Sequence, residues 1–238
     1  MYFSGKLTLQ VSFSKINTIK KERLIHMKPD VNSPEFKKAI SVARMRESDK
    51  YTIEKGVYGR VLMKRAALGI YNSADWDGKK VAVICGSGNN GGDGYALAEI
   101  LSENGMDVRI FRVSDRFSDD GRYYYERAKE RGVFDFKFDE NTDFTLFDII
   151  VDCILGTGFR GEPEGVVRTA IEKINATDAY VISADINSGL NGDTGEASVA
   201  VKSDLTVSIG YFKTGMFINS APEFIGDLVN VDIGIELV

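Results

Sequence analysis

The sequence is short of the side chains that carry several common chemistries. Among its 238 residues there are one histidine, His26, and two cysteines, Cys85 and Cys153. A histidine-based catalytic triad and a zinc site built from histidine and cysteine are therefore excluded by count. Each cysteine ends an apolar run, which predicts buried strand residues rather than a disulfide and suits a reducing compartment such as the cytoplasm.

Long apolar runs and clustered basic residues are also scarce. The longest apolar runs have the length of a strand, too short for a transmembrane helix. The formal net charge is −5, and no basic stripe crosses the body of the chain. Surfaces that bind nucleic acids need clustered lysine and arginine. We therefore expect neither a nucleic acid nor a membrane as a partner.

Residues 1–30 differ in composition from the rest. Between Met1 and Lys28 there are six basic residues and a single acid, Glu22. Apolar residues alternate with polar ones from Leu7 to Phe13, which predicts one amphipathic strand. A transit peptide is one interpretation, but the strand-like alternation favours a basic leader without an essential role, with Met27 as an alternative start. We expect residues 31–238 to form a single domain.

From Lys79 onward, apolar strand patterns alternate with helical patterns. Because the strands are rich in valine and isoleucine without polar alternation, they predict an α/β fold with a mainly parallel sheet covered on both faces. After Asp204 the helical signal thins, so we expect an antiparallel or irregular edge. The predicted strands are 80–85, 107–113, 133–138, 147–153, 179–185, 204–210 and 227–232, and the helices between them are 92–104, 119–131 and 164–176.

An N-terminal helical cap is expected before the first strand. Ser33, Pro34 and Glu35 form an N-cap, a first-turn proline and a first-turn acid, which predicts a helix reaching Met45. Further helices are predicted at 48–55 and 58–74, giving three helices on the sheet.

Glycine-rich turns with polar residues follow four of the predicted strands. In an open α/β sheet the ligand site lies beyond the carboxyl ends of the strands, so these loops are the candidate site. The first, GSGNNGGDG from Gly86, satisfies the dinucleotide pattern G-x-G-x-x-G. Asp93 is expected in the first turn of the following helix, where it would repel a pyrophosphate. A helix-capping role would explain Asn90 or Asp93 alone, but it does not explain the complete sequence Asn-Asn-Gly-Gly-Asp at 89–93.

The other loops supply further candidates. The loop from Gly156 to Glu162 could wrap a phosphate with its backbone, with Arg160 adding charge, or could be an ordinary surface turn. Asp185 and Ser188 follow the next strand, and with Asn90 and Asp152 they form a set of oxygen ligands that suits a hard cation. The residues alone do not select the ion.

The four loops together resemble the NAD(P)H-hydrate epimerases, also called the YjeF N-terminal domain. The resemblance runs from about Met45 to the end of the chain and includes the Met45–Asp49 stretch. The matching segments are GNNGGDG from Gly88, Val151-Asp152 with LGTGF from Leu155, DINSG from Asp185, and Lys213-Thr214-Gly215 with Gly226-Asp227.

The resemblance implies a Rossmann-like three-layer α/β/α sandwich and a homodimer that interconverts the R and S hydrates of NADH and NADPH (NADHX and NADPHX). A separate NAD(P)H-hydrate dehydratase would act in the same pathway. A potassium ion would bind to Asn90, Asp152 and Ser188. The implied substrate-binding residues are Asn89, Asn90, Gly91, Gly92, Asp93, Gly156, Thr157, Gly158, Phe159, Arg160, Gly161, Glu162 and Asp185.

Two departures from the family pattern bear on the structure. Asn187 occupies the place of a common proline, which we expect to loosen the turn between Asp185 and Ser188. Lys64 and Ala67 replace an acid and a glycine, which puts the packing of the N-terminal helix or of a dimer in question.

The chemistry at C6 of the nicotinamide ring needs a group that moves a proton at the hydroxyl. Loss of water through an iminium and transient ring opening to an aldehyde are both open routes. Asp185 is the first candidate for the proton-transfer group, with Asp93 second and Lys213 third. Two rival functions remain at this point, an RNA-associated binding module of the same fold and an NAD-dependent oxidoreductase.

Overall fold

The computed structural model describes residues 26–238, and the strand predicted at Leu7–Phe13 lies outside them. Seven strands form one sheet in the order β3-β2-β1-β4-β5-β6-β7, and every neighbouring pair is parallel. The strands are β1 (Lys80–Cys85), β2 (Asp107–Arg112), β3 (Phe134–Lys137), β4 (Ile149–Cys153), β5 (Tyr180–Ala184), β6 (Ser203–Ile209) and β7 (Ile225–Val231). All seven predicted strands are confirmed.

Six helices accompany the sheet in this part of the chain. They are α1 (Val42–Glu54), α2 (Gly59–Asn72), α3 (Asn89–Glu103), α4 (Asp119–Glu130), α5 (Gly165–Asn175) and the short α6 (Ala221–Phe224). One core contains residues of α2, α3 and α4 together with Val83, Cys85 and Val151 of the strands. A second core joins α5 to Ala82, Ile84 and Ile150, which point to the other face. The three-layer α/β/α architecture is therefore confirmed.

Two details of the predicted fold are wrong. The edge strand β7 pairs in parallel with β6, because residues 210–224 between them are long enough for a crossover connection. The helix predicted from Ser33 to Met45 is a 3₁₀ turn at Phe36–Lys38, followed by α1. Ser33 does cap that turn, since its Oγ accepts a hydrogen bond from the Phe36 N–H at 3.1 Å. The cap on the sheet therefore contains two α-helices instead of three.

The described end of the basic leader contacts the edge of the sheet. Met27 and Leu228 exchange two backbone hydrogen bonds in an antiparallel bridge. Lys28 forms an ion pair with Asp227 at 3.0 Å, and His26 lies 3.9 Å from the same carboxylate. Residues 26–28 thus pack on the domain.

Helix α1 is held in place by residues 233–238. The buried hydroxyls of Ser48 and Thr52 accept hydrogen bonds from the backbone N–H groups of Val238 and Glu236, at 3.3 and 3.0 Å. Arg44 donates to the carbonyl oxygen of Val238 at 2.9 Å. The N-terminal cap and the C-terminal segment therefore form one structural unit.

The substitutions in α2 do not disturb helix packing. Lys64 Nζ lies 3.2 Å from Oε2 of Glu99, a fully buried residue of α3 whose Oε1 also pairs with Arg127 of α4. Ala67 is completely buried in the core. Lysine at position 64 therefore links α2 to α3 through a charge pair.

No helix in the described part of the chain is long and apolar enough to cross a membrane. Both cysteines are free and buried at the ends of β1 and β4, as predicted.

Candidate active site

A cavity of about 450 Å³ lies at the carboxyl edge of the sheet, where the strand order changes direction between β1 and β4. This is the position at which open α/β sheets bind ligands, and the volume is sufficient for a small molecule. Its walls come from α1, α2, the start of α3, the loop after β4 and the end of β5. The acids on these walls are Asp49, Asp93, Asp120 and Asp185.

The glycine-rich loop after β1 brings α3 close to the sheet. A Cβ atom on Gly86 would collide with the carbonyl oxygen of Ile154, and one on Gly91 would collide with that of Gly86. Ser87, Gly88 and Asn89 are exposed and line the cavity at the start of α3. The N-terminal backbone donors of that helix have no partners within the helix itself, so they suit an anion.

Asp93 lies deeper than the sequence predicts. It is the fifth residue of α3, so it belongs to the second turn and not to the first. The expected repulsion between Asp93 and a phosphate at the helix start is therefore weaker than the sequence suggests. Burial raises the pKa of Asp93 well above its usual range, and the nearby charges of Asp185 and Asp49 add to the rise.

Asp185 and Lys213 form a charge pair at the ends of β5 and β6. Lys213 is buried, and its Nζ lies 2.5 Å from Asp185 Oδ1 and donates to the carbonyl oxygen of Ile209 at 2.9 Å. Asp185 Oδ2 accepts a hydrogen bond from the Thr157 N–H at 3.3 Å. Asp185 has a φ of 65°, in the left-handed region that non-glycine residues rarely adopt. Such strain is typical of functional sites, where the surrounding contacts maintain it.

Asp49 of α1 is a further acid in the cavity. Burial, together with the charge of Asp185, raises its pKa to about 6, and Lys213 opposes the rise. Among residues 26–238 no hydrogen bond reaches the Asp49 carboxylate. The cavity thus combines a carboxylate paired with lysine and two carboxyl groups that hold protons more tightly than usual.

Asn90, Asp152 and Ser188 meet around the backbone of Ile154 and Leu155. Asp152 is fully buried and accepts hydrogen bonds from Ser188 N and Oγ, Ser183 Oγ and Ile154 N, at 2.9, 2.5, 3.0 and 3.2 Å. Ser188 Oγ also accepts from the Leu155 N–H at 2.8 Å, and Asn90 Nδ2 donates to the Leu155 carbonyl oxygen at 3.0 Å.

These three residues fit a hard cation. Oδ1 of Asn90 is buried and has no hydrogen-bond partner in the described part of the chain. A buried acceptor without a partner is costly, and a cation would supply one. Burial raises the pKa of Asp152 despite its hydrogen bonds, so a nearby cation would also favour its ionised form. Residues 26–238 contain no cluster of three histidine, cysteine, aspartate or glutamate side chains that could hold a metal.

Comparison with known proteins identifies the family. A family model described as YjeF-related protein N-terminus matches residues 59–215, which is more than half of the chain. The chain belongs to this family.

Curated relatives carry names that agree with this membership. A protein of Lentilactobacillus buchneri named NAD(P)H-hydrate epimerase is 38% identical over 206 residues, covering 83% of this chain and 94% of the relative. A protein of the same name from Limosilactobacillus fermentum is 35% identical and covers 82% and 96%. The Bifunctional NAD(P)H-hydrate repair enzyme Nnr of Thermofilum pendens is 37% identical over 80% of this chain but only 39% of its own length.

A solved structure supports the fold. The crystal structure of yeast ynu0 superimposes with a TM-score of 0.65 and 24% identity, covering 75% of this chain and 82% of that one.

Only part of the second glycine loop of this YjeF-related chain faces the cavity. Gly156 to Phe159 line it, whereas Arg160, Gly161 and Glu162 are exposed outside it. The Arg160 guanidinium donates to the carbonyl oxygens of Thr157 and Phe159 and lies 3.1 Å from Asp193 Oδ2. Arg160 therefore shapes the loop, and its predicted role in phosphate binding stays a prediction.

Asn187 anchors the turn after β5 to the neighbouring segments. Asn187 is fully buried, and its Nδ2 lies within 3.0 Å of the carbonyl oxygens of Val201 and Phe224 and of Ser203 Oγ. Its Oδ1 accepts a hydrogen bond from Thr206 Oγ1 at 2.7 Å. The expectation of a looser turn is wrong because the amide satisfies buried groups on both sides.

Sequence reasoning did not select two residues of the YjeF-related cavity. Asp49 and Arg46 line it from α1, and Arg46 Nη2 donates to the Gly158 carbonyl oxygen at 3.2 Å. Both lie in the Met45–Asp49 stretch, one of the segments in which the sequence resembles the family. That resemblance was the available signal.

Proposed function

We propose that the protein is an NAD(P)H-hydrate epimerase that interconverts the R and S forms of NADHX and NADPHX at C6 of the nicotinamide ring. The main observation is the cavity in which the Asp185–Lys213 pair faces carboxyl groups with raised pKa values. Titratable groups held in different environments within one site are the usual basis of acid–base catalysis. The names of the curated relatives support the same substrate.

We assign the proton transfer to Asp185 and favour the iminium route. A protonated carboxyl group of the cavity gives its proton to the C6 hydroxyl, water leaves with the electron pair of the C6–O bond, and the lone pair of the ring nitrogen forms the iminium. Water then adds to C6, and a carboxylate accepts its surplus proton. Asp185, which is held by Lys213, is well placed to accept that proton, and Asp93, whose pKa is raised by burial, is suited to donate a hydrogen bond.

The rest of the substrate would extend along the cavity walls. We assign the phosphate groups to the exposed start of α3 around Asn89 and to the backbone of residues 156–159. The start of α3 offers N–H donors without a competing carboxylate in its first turn, and in the second segment Thr157 and Phe159 already donate within the protein, which leaves Gly156 and Gly158 as donors.

The experiment mixes the purified protein with the R hydrate and follows the appearance of the S hydrate by chiral-resolving chromatography. We expect rapid epimerisation. Binding of RNA without epimerisation would support a binding module, and reduction of a nicotinamide cofactor with an added substrate would support an oxidoreductase.

Replacing Asp185 with asparagine is expected to lower kcat by about 10²–10⁴-fold with little change in KM, because the general acid–base group is lost while the shape is kept. Asp178→Asn, an exposed carboxylate at the opposite edge of the sheet, is the matched control. Because the change leaves the buried Lys213 unpaired, circular dichroism is recorded for both proteins. Near-normal turnover by a folded Asp185→Asn protein would remove Asp185 from the mechanism.

We further propose one potassium ion per subunit, held by Asn90, Asp152 and Ser188. When bound, it would neutralise the Asp152 carboxylate and fix the loop ends around the cavity. Replacing potassium by tetramethylammonium should lower both the activity and the melting temperature, because the cation no longer fits between the oxygen ligands. Unchanged activity and melting temperature would argue against the ion.

We place the protein in the cytoplasm and in the same pathway as a separate NAD(P)H-hydrate dehydratase. The bifunctional name of the Thermofilum pendens relative supports this link. We also propose a homodimer from the family resemblance, which sedimentation velocity tests directly.

A further inference from the structure

Asp49 has a position in the cavity that the proposed mechanism leaves without a role. It is half-buried on α1, whereas Asp185 follows β5, so the two carboxyl groups approach the cavity from different walls. In the described part of the chain its carboxylate accepts no hydrogen bond, so it is available to a ligand.

Inversion at C6 imposes a geometric demand. The hydroxyl leaves from one face of the ring, and water must add to the opposite face to give the other epimer. A single carboxyl group fixed on one wall serves only one face unless the ring turns over within the site. Two carboxyl groups on different walls remove this requirement.

Resting on the proposed epimerase function, we propose that Asp49 is a second catalytic acid–base group, which acts at C6 on the ring face that Asp185 does not reach.

The charged groups around Asp49 suit this role. Asp185 after β5 and Asp93 on α3 are acids that disfavour a further negative charge, and Lys213 after β6 opposes them. Arg46 on the same helix and Asp120 on α4 complete the charged lining. With a pKa of about 6, Asp49 can both donate and accept a proton near neutral pH, whereas burial raises the pKa of Asp93 and favours its protonated form.

In one direction of the epimerisation, the hydroxyl leaves on the Asp49 side and water adds on the Asp185 side. Protonated Asp49 gives its proton to the C6 hydroxyl, the C6–O bond breaks with its electron pair on the departing water, and the ring nitrogen forms a double bond to C6. Water attacks C6 from the Asp185 side, the double-bond electrons return to nitrogen, and Asp185 takes the surplus proton. The opposite direction reverses the two roles, and exchange with solvent restores both groups.

The first test is Asp49→Asn, with Glu47→Gln as the matched control. Glu47 is an exposed acid on the same helix, so its replacement removes the same charge without altering the cavity. We expect Asp49→Asn to lower kcat by about 10²–10⁴-fold with KM nearly unchanged, to lose the alkaline limb of the pH–rate profile in the direction in which Asp49 acts as the acid, and to be partly rescued by Asp49→Glu. Circular dichroism and urea midpoints verify that each variant is folded.

The second test separates a catalytic role from a purely electrostatic one. Each hydrate epimer is incubated in H₂¹⁸O with each variant, for times too short for uncatalysed interconversion. A single remaining carboxyl group can still expel the hydroxyl and return water from its own face. We therefore expect Asp49→Asn to exchange oxygen into one epimer, Asp185→Asn into the other, and the wild-type protein into both.

Several outcomes would overturn the proposal. These are epimerisation by Asp49→Asn at the rate of Glu47→Gln, equal or absent exchange in both epimers, or exchange of the same epimer by both variants. Retention of the original oxygen during wild-type epimerisation would indicate ring opening and would equally reject the two-face scheme. Failure of the wild-type protein to epimerise would instead reject the proposed function itself.

Discussion

At the scale of single residues, the buried amide of Asn187 shows how a local substitution is accommodated. It connects the turn after β5 to residues 201–206 and to Phe224 through four polar contacts of 3.0 Å or less. The turn carries Asp185 and Ser188, so the same amide positions two candidate functional residues.

Replacing Asn187 with alanine is expected to lower the free energy of unfolding by at least about 2 kcal/mol, because the buried carbonyl oxygens of Val201 and Phe224 lose their donor. Urea denaturation measures the change. Asn141→Ala, in an exposed loop, is the control and should change stability by less than about 0.5 kcal/mol. A similar small effect for Asn187→Ala would show that the turn does not depend on this amide.

Individual contacts explain what sequence reasoning could and could not predict about the site. Asp185, Asp93, Asn90 and the 156–159 segment were predictable because the carboxyl ends of neighbouring parallel strands must converge. The orientation of Arg160 was not, because its partner Asp193 comes from a different loop. Asp49 was missed as a site residue because its role depends on the packing of α1 over strand ends more than 100 residues away.

At the scale of elements, the close approach of α3 to the sheet is the feature on which the cavity depends. Gly86 and Gly91 permit it, since no side chain fits between the loop, the helix and Ile154. The pattern G-x-G-x-x-G therefore reflects packing in this chain, in addition to the ligand binding that we propose.

Gly91→Ala is expected to push α3 away from the loop after β1 and to destabilise the protein by about 1–3 kcal/mol, the range typical of overpacking. The urea midpoint measures this effect. Gly88→Ala provides the matched control, because its Cβ would meet no atom within 4 Å. Equal midpoints for the two variants would contradict the packing role of Gly91.

The strands were predicted correctly because each one has the same local sequence pattern. The valine- and isoleucine-rich runs gave all seven strands, because burial on both faces demands such runs. The direction of β7 was not predictable from the thin helical signal, since short 3₁₀ and α segments suffice for its crossover. Ser33 and Pro34 correctly predicted the start of a helical segment. That segment is only a short 3₁₀ helix, Phe36–Lys38, and not the longer α-helix that we expected.

At the scale of the whole molecule, several buried acids couple stability to pH. Asp49, Asp93 and Asp152 have raised pKa values, so each binds a proton more tightly in the folded than in the unfolded state. Asp115 and Asp143 have lowered pKa values and act in the opposite direction. The pH dependence of the free energy of unfolding is the sum of the contributions of all these acids. A variant that lacks one acid is therefore needed to isolate its contribution.

Asp49 should contribute stability that appears as the pH falls from about 6 toward 4. In that window the folded protein binds a proton at Asp49 that the unfolded chain does not, so the free energy of unfolding increases on acidification. Asp49→Asn should lack this contribution, and its stability should rise less than that of the wild type between pH 7.5 and 5. Parallel curves for the two proteins, with Glu47→Gln as control, would show that Asp49 titrates normally.

The attachment of α1 to residues 233–238 has a consequence for the order in which the molecule is made. During translation, α1 emerges from the ribosome early. The backbone groups of Glu236 and Val238 that hold it in place emerge nearly 190 residues later. The wall carrying Asp49 and Arg46 therefore cannot reach its final position until residues 233–238 have been translated. A nascent chain would present the glycine loops without their cover, and it would acquire the capacity to enclose a nucleotide only once residues 233–238 have cleared the exit tunnel.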